Sequence, residues 1–209
     1  AGTMVLGASS ALANPAIVIE NYATMPMTGV TSFPASPANR GYLARVNFLR
    51  DDPSNPDQFF VNDLNGPLYM LDKNTRQFTE YLNFNGRGAA PGLFNRLWTD
   101  AGFSGGFVTF QFDPDYVNNG KFYTIHVEQG SAGSQIPDNT NYPGLNTSNF
   151  GVTTPVIAPG ATNYQNVLVE WTDTNINNST FEGTARELLR INARDRIHPM
   201  GDIIFNPTA

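Results

Sequence analysis

Residues Gly106 to Glu128 read GFVTFQFDPDYVNNGKFYTIHVE. Two runs with a period of two flank a polar break. In the first, Val108, Phe110 and Phe112 share one face and Thr109 and Gln111 the other; in the second, Tyr123, Ile125 and Val127 stand opposite Phe122, Thr124, His126 and Glu128. Alternation of this kind predicts half-buried strands. Between them, Asp113-Pro114-Asp115 and Asn118-Asn119-Gly120 are turn formers, whose side chains bond their own backbone or tolerate positive φ.

Working outward, similar short runs occur at Tyr42 to Leu49, Gln58 to Asn62, Pro67 to Asp72, Gln77 to Phe84, Gln165 to Thr172 and Ala185 to Ile191, punctuated by Asn, Gly, Pro and Asp. The best helical period is one short piece around Leu93 to Thr99. The predicted class is all-β. Three runs end alike: Val46 to Leu49 leads to Asp52-Pro53, Val108 to Phe112 to Asp113-Pro114, and Ile203 to Phe205 to Asn206-Pro207. Four antiparallel strands between recurrences is the pattern of a β-propeller blade. Spacings of ~60 and ~90 residues exceed the usual ~40–50 per blade, which calls for inserted loops. Residues 129–163, rich in Gly, Pro, Asn, Ser and Thr, read as one long loop. The expected architecture is about two four-stranded blades plus the start of a third at Gly201 to Phe205, the N-terminal part of one propeller domain over 14–209.

Composition narrows the function classes. The chain has 209 residues, 40% of them apolar, with 15 Phe and 8 Tyr to fill a core. A net charge of −6 and the lack of any Lys/Arg cluster exclude a nucleic-acid partner. With no cysteine there is no disulfide, thiol nucleophile or Cys-held metal. Thr3 to Ala13 is a short run of small and apolar residues ending in Ala11-Leu12-Ala13, a signal-peptidase pattern. Residues 1–13 therefore read as the remnant of a secretory signal, too short to span a bilayer, and the expected location is secreted or periplasmic.

The stretch from Gly102 to Tyr123, with its Gly-rich lead-in, apolar strand, aromatic-rich Asp113-Pro114-Asp115-Tyr116 turn, Asn119-Gly120 and Tyr-bearing strand, resembles the soluble glucose/sorbosone dehydrogenases, six-bladed propellers that use pyrroloquinoline quinone (PQQ). A second match runs from Arg190-Ile191-Asn192 to His198-Pro199-Met200-Gly201-Asp202-Ile203-Ile204-Phe205-Asn206-Pro207, similar to the family's H-x-x-G-x-[LI]-x-[FI]-x-P strand. With Arg45 to Asp72 the resemblance covers most of Arg45 to Pro207 outside the loop. It implies a sugar (aldose) dehydrogenase with an external electron acceptor, and His198 as general base, a fit role for an imidazole whose pKa lies near working pH. It also implies PQQ and Ca²⁺, held by later blades, so that this fragment alone would be inactive. Ile197 stands where glucose-oxidising members have an acidic residue, and Asn206-Pro207 replaces a usual Gly-Pro-Asp-Gly run. The competing expectation is a non-catalytic extracellular propeller that binds carbohydrate or protein.

Other constellations read as structure. His126 beside Thr124 and Glu128 is expected to be structural. Asp173 to Asn177 resembles the start of an EF-hand loop, but Asn178 and Thr184 occupy the positions of the required Gly and Glu. Asp113 to Gly120 reads as a turn, and Ser104 lacks a nucleophile-elbow context. No His/Asp/Glu cluster suggests a metal centre.

Overall fold

The computed structural model describes residues 17–28, 44–99, 105–130, 134–156, 163–194 and 199–206. The expected signal remnant, residues 1–13, lies outside them. The first sheet is an antiparallel meander of β1 (Val46–Asp52), β2 (Asn55–Asp63), β3 (Pro67–Asp72) and β4 (Phe78–Asn83). The second contains β5 (Phe107–Phe112), β6 (Lys121–Gln129), β7 (Leu145–Asn146), β8 (Tyr164–Asp173) and β9 (Gly183–Ala193), in the order β5-β6-β8-β9-β7. One of the two sheets curls into a half-barrel. The class is all-β, and among the described residues no helix is long and apolar enough to cross a membrane.

Four expectations change. The second sheet has a fifth strand, because the long loop returns β7 to pair in parallel with β9, Leu145 opposite Gly183. Leu93 to Thr99 forms no helix; Leu93, Phe94 and Leu97 instead fill the space between the sheets, and that burial outweighs helical propensity. Residues 201–206 are not part of a ladder, since their contacts are made by side chains. Finally, β6 is buried on both faces rather than one.

The core lies between the sheets and is mostly aromatic. Phe84 stacks on Phe107 with centroids 4.0 Å apart, and Phe122 stacks on Trp171. Trp171 Nε1 donates to Thr124 Oγ1 at 2.8 Å, satisfying a fully buried indole. Asn62, also fully buried, donates to the Phe107 carbonyl at 2.7 Å and accepts from the Phe48 amide at 2.8 Å. One amide thus joins β1, β2 and β5. Further layers cover the outer faces. Tyr22 of the 17–28 segment meets Phe59 across the first sheet, and Met200 and Ile203 rest on Val108, Ile125, Val127 and Trp98 beyond the second.

Gly106 enters β5 at φ +113°, and a Cβ there would lie 1.7 Å from the Leu64 carbonyl oxygen, the acceptor of the Phe107 amide. No side chain can occupy that contact unless backbone moves. Gly106→Ala is expected to lower the urea midpoint by the equivalent of at least ~1–3 kcal/mol. Gly151→Ala, where nothing lies within 4 Å, should leave it within ~0.5 kcal/mol.

Candidate functional site

Both sheets send their long connections from one end. In the second sheet Gln129 pairs with Tyr164 and Tyr164 with Ala193, so β6, β8 and β9 meet there. The Phe107 amide bonded to the Leu64 carbonyl brings the first sheet to the same end. The Asp-Pro turns lie at the opposite end, and there the sequence reading holds. Asp52 Oδ1 accepts from the Ser54 amide and hydroxyl, and Asp113 Oδ1 accepts from the Asp115 amide and Asn119 Nδ2.

At the loop-bearing end a charged network is buried between the second sheet and the segments that carry Phe94, Arg96 and Thr153. Its centre is Glu128, with no solvent exposure, beside an equally buried Arg190 and His126. Arg190 Nη1 donates to Glu128 Oε2 at 2.6 Å, while its Nε and Nη2 hold both oxygens of Glu187 at 3.0 and 2.8 Å. His126 Nε2 lies 3.3 Å from Glu128 Oε1, and Phe94 covers the imidazole with centroids 4.2 Å apart. Arg96 donates to the Gln129 carbonyl at 2.9 Å and sits 3.7 Å from Glu128. Thr153 donates its amide and hydroxyl to Glu187 Oε1. Two carboxylates thus face two guanidinium groups.

Burial by itself would raise the Glu128 carboxyl. The bonds and charges of His126 and Arg190 outweigh it, holding that group below its ordinary value. Burial likewise opposes charge on Arg190, and its two carboxylates reverse the effect, raising it. No substrate can reach a network so enclosed. Its function is to pin the connection carrying Arg96 and the loop carrying Thr153 to β6 and β9. His126, expected to be structural on the polar face of its strand, instead faces the core, fully buried against Phe94 and Glu128.

The sequence did not reveal this cluster, because Glu187 and Arg190 are three apart and strict alternation puts them on opposite faces. A register shift in β9 opposite Leu168 and Val169 brings them to one side.

His198 lies outside the described residues, but the chain just beyond it is anchored. The Met200 amide donates to Asn166 Oδ1 at 3.2 Å. Asp202 Oδ1 accepts from Arg50 Nη2 at 2.8 Å and from Thr109 Oγ1 at 3.2 Å. Arg50 also donates through Nε to the Phe110 carbonyl at 2.7 Å, and Asn47 Nδ2 donates to the Val108 carbonyl at 2.6 Å. Asp202 therefore ties this segment to β1 and β5, while Met200 bonds to β8 and Phe205 lies against Tyr123 of β6. The EF-hand-like stretch is an Asx turn: Asp173 Oδ1 accepts from the Asn175 amide, and Oδ2 accepts from the Tyr81 hydroxyl. Among the described residues no group of three or more His, Cys, Asp or Glu is placed to hold a metal ion. No family model matches the chain, and no curated protein matches it.

Proposed function

We propose that the chain is the first part of a quinoprotein sugar dehydrogenase built on a six-bladed propeller, secreted or periplasmic, in which His198 is the general base. The observation that carries this reading is Asp202, which both Arg50 of β1 and Thr109 of β5 reach, so that one residue of the 199–206 segment meets the first strand of each sheet. Inner strands of successive propeller blades stand next to each other in this way, around a common channel. The stacking of first sheet, second sheet and residues 200–203 also supports it, since blades pack face to face.

On this reading His198, just ahead of the 199–206 segment in the sequence, receives the hydroxyl proton of an aldose as that carbon is oxidised. The two-electron acceptor is the family's PQQ. The family resemblance implies that the side chains holding the quinone and its Ca²⁺ would come from further blades, and no step is drawn through the cofactor.

The test is made on the full-length polypeptide, loaded with PQQ and Ca²⁺ and offered aldoses with a redox dye. Quinone binding with aldose-dependent dye reduction is expected. A folded protein that takes up no quinone and reduces no dye would overturn the dehydrogenase reading and leave an extracellular binding module.

A further inference from the structure

A groove of about 920 Å³ runs between the two end strands, β4 of the first sheet and β7 of the second. It lies away from β1 and β5, and so does not depend on the assignment of His198. Its volume is that of a ligand site rather than a surface dimple. The walls combine three kinds of group. Tyr142 and the prolines Pro91 and Pro143 give apolar surface; Asn141, Asn146, Thr174, Thr180 and Thr184 give neutral donors and acceptors; Glu80 and Glu182 give the only charge.

The two carboxylates differ from others in the protein. Glu128, Glu170 and Glu187 each have an arginine partner. Among the described residues Glu80 and Glu182 bond only to neutral donors: Glu80 to the Tyr142 hydroxyl at 3.2 Å and Asn83 Nδ2 at 3.1 Å, Glu182 to Asn178 Nδ2 at 3.0 Å. Those bonds orient the carboxylates without neutralising them. Burial and the Glu80 charge push the Tyr142 phenol up, so it remains a donor.

We propose that this groove binds a cationic oligosaccharide, an amino-sugar oligomer whose ammonium groups meet Glu80 and Glu182. Its ring faces lie on Tyr142 and the prolines, and its hydroxyls exchange hydrogen bonds with the Asn and Thr side chains. The carboxylates select for positive charge, because among the described residues no lining Lys, Arg or His competes for them. The amides and hydroxyls select a polyhydroxylated ligand over a plain polyamine, which would leave them without partners.

Calorimetric titration with three probes tests this: a β-1,4-linked glucosamine trimer, its N-acetylated neutral counterpart, and spermidine. The glucosamine trimer should bind at least about tenfold more tightly than either of the others, and the Glu80→Gln/Glu182→Gln double variant should lose at least about tenfold of that affinity. Glu80 is exposed and Glu182 half-buried, and these isosteric changes away from the core should leave the melting temperature within a few degrees; Tyr142→Ala provides a second variant that removes the ring and keeps both charges. Equal binding of the acetylated trimer, equal binding of spermidine, an unaffected double variant, or no heat of binding at millimolar trimer would each overturn the proposal.

Discussion

Arg190→Met is expected to cost about 3–5 kcal/mol of folding stability, read as a fall in the urea midpoint with an unchanged slope. The loss does not come from side-chain volume, which Met nearly fills. It comes from Glu128 and Glu187, which are 0% and 4% exposed and would keep their charge with no guanidinium fork to balance it. The effect should depend on pH. In the native protein the Glu128 carboxyl is held below its unfolded value, so its contribution is present above the unfolded pKa of ~4.3 and is lost as pH falls through the lower folded value. In Arg190→Met the part of that depression due to Arg190 is relieved, and protonation of Glu128 makes the deficit shrink as pH falls. Adding Glu128→Gln and Glu187→Gln should recover much of the stability at neutral pH. A deficit below ~1 kcal/mol, or one that does not vary with pH, would show that the network is solvated rather than sealed.

His198→Ala in the full-length, quinone-loaded protein should reduce aldose-dependent turnover by about 10²–10⁴-fold, the usual share of a general base. Quinone affinity should change little, because on the proposed reading the cofactor is held by later blades. The acid limb of the wild-type rate profile, which falls as imidazole gains a proton near pH ~6.5, should disappear in the variant. Retention of that limb, or undiminished turnover, would remove His198 from the mechanism. His126 offers an internal control. Its ring is fully buried under Phe94, so His126→Gln should lower stability while the acid limb of the remaining activity persists.

The sequence by itself determined the all-β class, the position of nearly every long strand and the Asp-Pro turns. Each rests on interactions between near neighbours: alternation along a strand, and Asp or Asn side chains that bond amides two residues on, as at Asp52 and Asp113. Pro67–Asp72 has the boundaries read from its short apolar run between turn-forming residues. Tertiary structure decided what depends on partners distant in the chain. Leu93 to Thr99 has a helical period but is drawn into the aromatic core, where Phe94 lies against Phe84 and His126. The loop of residues 129–163, read as an excursion, delivers Leu145 and Phe150 to that same core and adds β7 to the sheet. The buried network needed three things no local pattern encodes: the register shift that turns Glu187 and Arg190 to one face, the pairing of β6 with β8 and β8 with β9 that sets Arg190 beside Glu128, and the distant segments that lay Phe94, Arg96 and Thr153 over it. Local periodicity records which way a side chain points only where no register shift intervenes, as one does in β5, where Val108 lies on the other face from Phe110 and Phe112, and in β9. What it meets there is set by chain closure over tens of residues, and only the folded structure specifies that.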